Sequence, residues 1–147
     1  MSYTFPYLSL IHSKLQSKIF SVIFIIALIV RIMLGFLQNN SINEFKQLIL
    51  LTCFLLFFIL YKYKFYKFSA ELKTKQRFIF QQNILEHSFL KGKVINELSL
   101  INNKQQYSNI TPPELKESYK LTVRIFTLSV LSFSLNILII IIESSVR

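Results

Sequence analysis

Apolar side chains in this chain gather into three long runs. The first is Ile19–Leu37, interrupted only by Ser21 and Arg31. The second is centred on Leu48–Tyr61, and the third runs from Leu121 to Ile142. At the helical rise, the 22 residues of the third run make about 33 Å, enough to cross a bilayer. The second run is shorter, but Tyr63 and Phe65 extend it while Lys62 and Lys64 snorkel to the interface. Thr111-Pro112-Pro113-Glu114 precedes the third run and reads as a helix start. Thr111 caps, Pro112 takes the first helical position, and Glu114 completes a capping box.

The pattern predicts an all-α membrane protein with three transmembrane helices. The first two form a hairpin, and an inward-projecting helical hairpin lies between the second and the third. Residues 1–18 are an interfacial N-terminal segment, 19–37 the first span, 38–47 an outer link and 48–65 the second span. Residues 66–110 form a basic helical segment, and 111–147 hold the capped third helix with its outer tail. Within 66–110, Ser69 is expected to cap a helix that reaches about Leu90, with Gly92 as a breaker. Leu72, Ile79, Leu90, Val94, Leu98 and Ile101 form one apolar face of that segment, and Phe78, Leu85 and Phe89 a second. Two faces call for contacts on two sides.

Charge gives the runs a direction. Residues 1–18 carry two Lys, and 62–120 carry eleven Lys/Arg against five Glu. Lys46 alone marks the link, and Arg147 alone the tail. Three spans place the two richer regions on one side, which the positive-inside rule assigns to cytoplasm or matrix. The C-terminus then faces outward.

Composition narrows the setting. The chain has 147 residues, a mean hydropathy of +0.46, a net charge of +10, two Gly, three Pro, no Asp and no Trp. Abundant Ile, Leu, Phe, Lys and Asn is the skew of an AT-rich genome; strongly hydrophobic proteins of that kind are often organelle-encoded, so the mitochondrial inner membrane is the expected setting, with an AT-rich bacterial or nuclear gene as the alternative. The N-terminus and residues 62–120 would then lie in the matrix and the C-terminus in the intermembrane space. The lone Cys53 forms no internal disulfide.

Several side chains stand out chemically. Thr122, Ser129, Asn136 and Glu143 recur every seven residues, with Ser132 beside them and Ser118 four residues before Thr122. They make a helix-packing stripe, and Asn136 is the member that most needs a partner in hydrocarbon. Thr127 and Ser134, on the opposite face, are expected to bond back to their own helix. Arg31 is an intramembrane charge, expected to snorkel to the outer interface, with pairing to Glu143 or Glu44 as the alternative. Lys62, Lys64 and Lys67 interleave with Tyr61, Tyr63 and Tyr66 as an aromatic, anionic-lipid interface; nucleic acid is disfavoured. His12 and His87 lie outside the spans, which argues against haem. No metal-ligand spacing, phosphate loop or nucleophile–base pair is present. No catalytic, cofactor-binding or metal residues are assigned; a structural phospholipid such as cardiolipin is the one small-molecule partner expected.

These features imply a non-catalytic accessory subunit of a large respiratory-chain complex, bound to other membrane subunits. The positively charged hairpin and the intramembrane Arg31 also resemble the YidC-type membrane-protein insertases. In that family the Arg lies in the span directly before the hairpin, whereas Arg31 lies one span earlier. Further alternatives are a stator-like ATP synthase membrane subunit and a small anchor for an electron-transfer enzyme.

Overall fold

The computed structural model describes residues 6–35, 40–86 and 89–145, and its regular structure is almost wholly helical. The helices are α1 (Pro6–Gly35), α2 (Asn40–Lys75), α3 (Arg77–Gln82), α4 (Ser99–Asn102), α5 (Lys104–Ser108) and α6 (Pro113–Ser145). Among the described residues, the β structure is a single isolated antiparallel bridge, Ile84↔Ile95. Two stretches, Leu15–Leu34 of α1 and Pro113–Ile142 of α6, are long and apolar enough to cross a membrane.

Nothing between Pro6 and Gly35 breaks a helix, so α1 carries the expected interfacial segment and the first apolar run as one rod. The segment after the second run departs further from expectation. α2 passes straight through Ser69 to Lys75, and the helix expected from Ser69 to about Leu90 does not form as one piece. Ser69 caps nothing. It is fully buried, and its Oγ accepts the Ile95 backbone N–H at 3.0 Å. A serine hydroxyl offers the backbone an alternative partner, and here it serves a distant segment instead of a helix end.

The chain divides into two compact units. Unit 1 takes the described residues up to Gln16 together with Lys62–Arg124; unit 2 takes Ser17–Tyr61 with the described part of Ile125–Arg147.

Unit 1 is built around aromatic rings. Phe65, Phe68 and Leu72 recur at helical spacing on α2 and are all buried. Tyr107 and Tyr119 stack at 5.1 Å, and Phe68 meets both rings at about 6 Å. Each buried phenol finds a partner: Tyr107 Oη lies 2.8 Å from Ser99 Oγ, and Tyr119 Oη donates to the Leu100 carbonyl at 2.9 Å. After α3 the chain turns back on itself. Leu85 N donates to Val94 O, Asn96 N to Asn83 O, and Gly92 N to Leu85 O. Gly92 sits at φ +71°, a conformation that side chains with a Cβ adopt rarely. This turn and the short helices α4 and α5 stand where a long helical hairpin was expected.

α6 also starts one residue later than its sequence suggests. Pro112 O accepts from Leu115 N at 3.0 Å, so Pro113 is the first helical residue. Thr111 does not cap; its carbonyl and hydroxyl accept from Gln76 Nε2 instead. Glu114 pairs loosely with Lys75 at 3.8 Å, where the negative charge also suits the helix start.

Burial pushes the Tyr107 phenol up from its ordinary 10 to about 12, with the Ser99 hydrogen bond opposing. A raised folded value means the neutral phenol is favoured in the fold. That stabilisation is whole below pH ~10 and is lost as pH rises towards 12, by about 2–3 kcal/mol. Chemical denaturation of the detergent-solubilised chain, followed by circular dichroism from pH 9 to 12, should show this decline. The variant Tyr107→Phe should flatten it while losing ~1 kcal/mol at neutral pH from the Ser99 bond.

Candidate functional site

Unit 2 exposes far more apolar side chain than unit 1. Its surface is Ile, Leu, Val and Phe: Ile25, Ile26, Ile29 and Ile32 on α1, Leu55 and Ile59 on α2, and Leu138, Ile141 and Ile142 on α6 are all exposed. Its buried set joins Phe24, Phe57, Tyr61, Ile125 and Leu128 with Arg31, Ser129, Ser132 and Asn136. Water would favour the opposite arrangement, whereas hydrocarbon favours this one.

Aromatic rings hold the unit together. Phe57 of α2 receives Phe20 and Phe24 of α1 at 6.3 and 6.4 Å. On its other side α2 meets α6 through Phe54 with Phe133 and Tyr61 with Phe126, both at 5.0 Å. These two pairs run in opposite order along the two helices, so α2 and α6 are antiparallel within the unit.

The stripe on α6 is part of this packing. Thr122, in unit 1, and Ser129 and Ser132, in unit 2, are buried by the chain's own residues. The burial of these three residues is supplied within the chain; the side chain of Glu143, the last member of the stripe, lies outside the described residues. Thr122 Oγ1 donates to the Ser118 carbonyl, and Ser132 Oγ to the Leu128 carbonyl, both at 2.8 Å. These hydroxyls are spent within the helix, leaving small side chains that let helices approach closely. Back-bonding of this kind was expected for Thr127 and Ser134, which are exposed. Asn136 differs from its neighbours: it is 8% exposed, and its Oδ1 accepts no hydrogen bond from the described residues.

Arg31 is 1% exposed, the largest fully buried side chain among the described residues. Snorkelling would leave its guanidinium at the surface, so that expectation is corrected: the helices enclose it. The side chains of Glu143 and Glu44, the carboxylates proposed to pair with Arg31, lie outside the described residues, as do those of His12 and His87.

The basic–aromatic set after the second run splits by helix face. Tyr61 is buried against Phe126 and is not part of a surface belt. Lys62 Nζ is 2.5 Å from Glu97 Oε1, and Lys64 donates to Gln16 Oε1 at 3.0 Å, so both are engaged with protein groups of unit 1. Tyr63, Tyr66 and Lys67 are exposed.

Two polar clusters in unit 1 have no counterpart in the sequence reading. One is the Ser99–Tyr107 pair already described. The other is a carboxamide chain in which Asn103 donates to Asn83, Asn83 to Gln106, and Gln106 to Gln82. The signal was present as a run of Asn and Gln on both sides of the turn, but such residues fit loops equally well. Among the described residues no three His, Cys, Asp or Glu side chains converge as metal ligands would. The chain matches no protein-family model, no curated protein and no solved structure.

An unsatisfied buried carbonyl is a liability that an apolar side chain of similar size removes. Asn136→Leu should therefore stabilise the isolated chain in detergent by about 1–2 kcal/mol, read from its unfolding midpoint in a denaturing-detergent titration. The control Ser132→Leu, which overfills a closely packed seam, should destabilise it by about 1–3 kcal/mol.

Proposed function

We propose that this chain is a multi-pass membrane subunit that holds a small basic helical domain at the inner face of a membrane and has no reaction of its own. The observation that carries the reading is the apolar outer surface of unit 2, with Arg31, Ser129, Ser132 and Asn136 kept inside. The two apolar stretches of α1 and α6 supply two spans. The 48–65 region of α2 is the third: its rings pack against both other helices, and Leu51, Leu55, Leu56 and Ile59 face outward. The charge distribution orients it, with 62–120 on the matrix or cytoplasmic side.

The AT-skewed composition extends the proposal to an organelle-encoded accessory subunit of a respiratory complex in the mitochondrial inner membrane. Its contacts with other subunits fall on the apolar outer surface of unit 2 and on the exposed apolar side chains of unit 1, such as Phe78 and Ile101, since the α6 stripe is closed by the chain itself.

Two measurements test this. Single cysteines at Lys104 and at Ser41, in a Cys53→Ser background, should label from opposite sides of sealed vesicles; labelling from one side removes the three-span topology. Native electrophoresis in mild detergent should show the chain migrating with a megadalton-class assembly. Migration as a free monomer, or with ribosomes as an insertase would, overturns the subunit reading.

A further inference from the structure

We infer that the turn Phe89–Lys93 of unit 1 is a membrane-surface anchor that docks on anionic phospholipid. Phe89 is 94% exposed, the most exposed large apolar side chain in the described structure. It stands at the head of a turn closed by Gly92 N to Leu85 O at 3.1 Å and Lys93 N to Leu90 O at 2.9 Å. Gly92 at φ +71° and the Ile84↔Ile95 bridge below it hold that turn in shape. The ring is therefore presented on a preorganised support, which lowers the entropy lost on docking.

The surroundings of the ring select the occupant. Lys91 and Lys93 are both exposed, and Lys93 Nζ sits 5.5 Å from the Phe89 ring centroid. One aromatic ring flanked by cations matches the acyl–headgroup boundary of an anionic bilayer, where the ring enters the apolar layer and the ammonium groups stay with the phosphates. A protein partner fits less well. A stable interface needs about 800 Å² from each side, and one such ring offers about 200 Å². That small area suffices for a tethered group, because α2 and α6 each run without a break from unit 1 into unit 2. Docking is then intramolecular and needs little affinity of its own.

This inference rests on the membrane reading above, and the following experiment separates the two. The chain has no Trp, so Phe89→Trp in the full chain creates a single fluorescent reporter at a position with almost no contacts to lose. The variant is mixed with vesicles of phosphatidylcholine carrying brominated acyl chains, with or without phosphatidylglycerol. Bromine quenching reports the turn, and resistance to alkaline carbonate extraction separately reports the spans. The indole emission should fall roughly to half with phosphatidylglycerol present, and much of it should return on adding Lys91→Glu and Lys93→Glu. Quenching that is absent, or equal in neutral and anionic vesicles, overturns the anchor. A chain that is extractable by carbonate yet still quenched by anionic vesicles keeps the anchor and removes the spans.

Discussion

A guanidinium enclosed by apolar helices is unfavourable by several kcal/mol unless its charge is answered, and Arg31 imposes that condition on unit 2. The charge sits in a unit that buries three other polar side chains, Ser129, Ser132 and Asn136. Enclosure also restricts what can answer it. The carboxylates that the sequence supplies to unit 2 are Glu44 and Glu143, near the ends of their helices. An outer surface of Ile, Leu and Phe adds nothing to that answer but suits hydrocarbon, and the same side chains would be a large aggregation-prone patch in water.

Unit 1 is held by a buried cluster of aromatic rings, and it gives each buried phenol a hydrogen-bond partner. With so few residues, it depends on those rings: Phe68, Tyr107 and Tyr119 form one contact cluster, and α4, α5 and α6 are joined through it. The carboxamide chain from Asn103 to Gln82 plays a similar part at the turn, where too little apolar surface is available to hold the segments together.

The long elements were legible in the sequence because long, mainly apolar runs without Pro leave helix as the economical way to satisfy the backbone. The α6 stripe was legible as a set of residues sharing a face, but not as a face closed by its own chain, since periodicity does not say what lies opposite. Arg31 illustrates the same limit: one sequence is compatible with a side chain reaching outward and with one enclosed. The capping assignments failed for a different reason. Ser69 and Thr111 are good caps in isolation, yet each found a tertiary partner, Ile95 N and Gln76 Nε2, that outcompeted the local bond. The expected helix to Leu90 failed because Gly92 and the β-branched Ile84 and Ile95 favour a returning turn once they can pair.

One property of α6 extends beyond either unit. Its buried positions include Leu115, Tyr119, Thr122, Ile125, Ser129, Ser132 and Asn136, spaced by three or four residues along one rod. The helix thus contributes buried residues to the aromatic core of unit 1 and, separately, to the interior of unit 2. Substitutions on its outer face leave that spacing intact, but inserting or deleting one residue within a unit's stretch of the helix would turn the residues beyond it by about 100° about the helix axis. Sequence divergence in this helix should therefore accumulate as replacement and not as change of length.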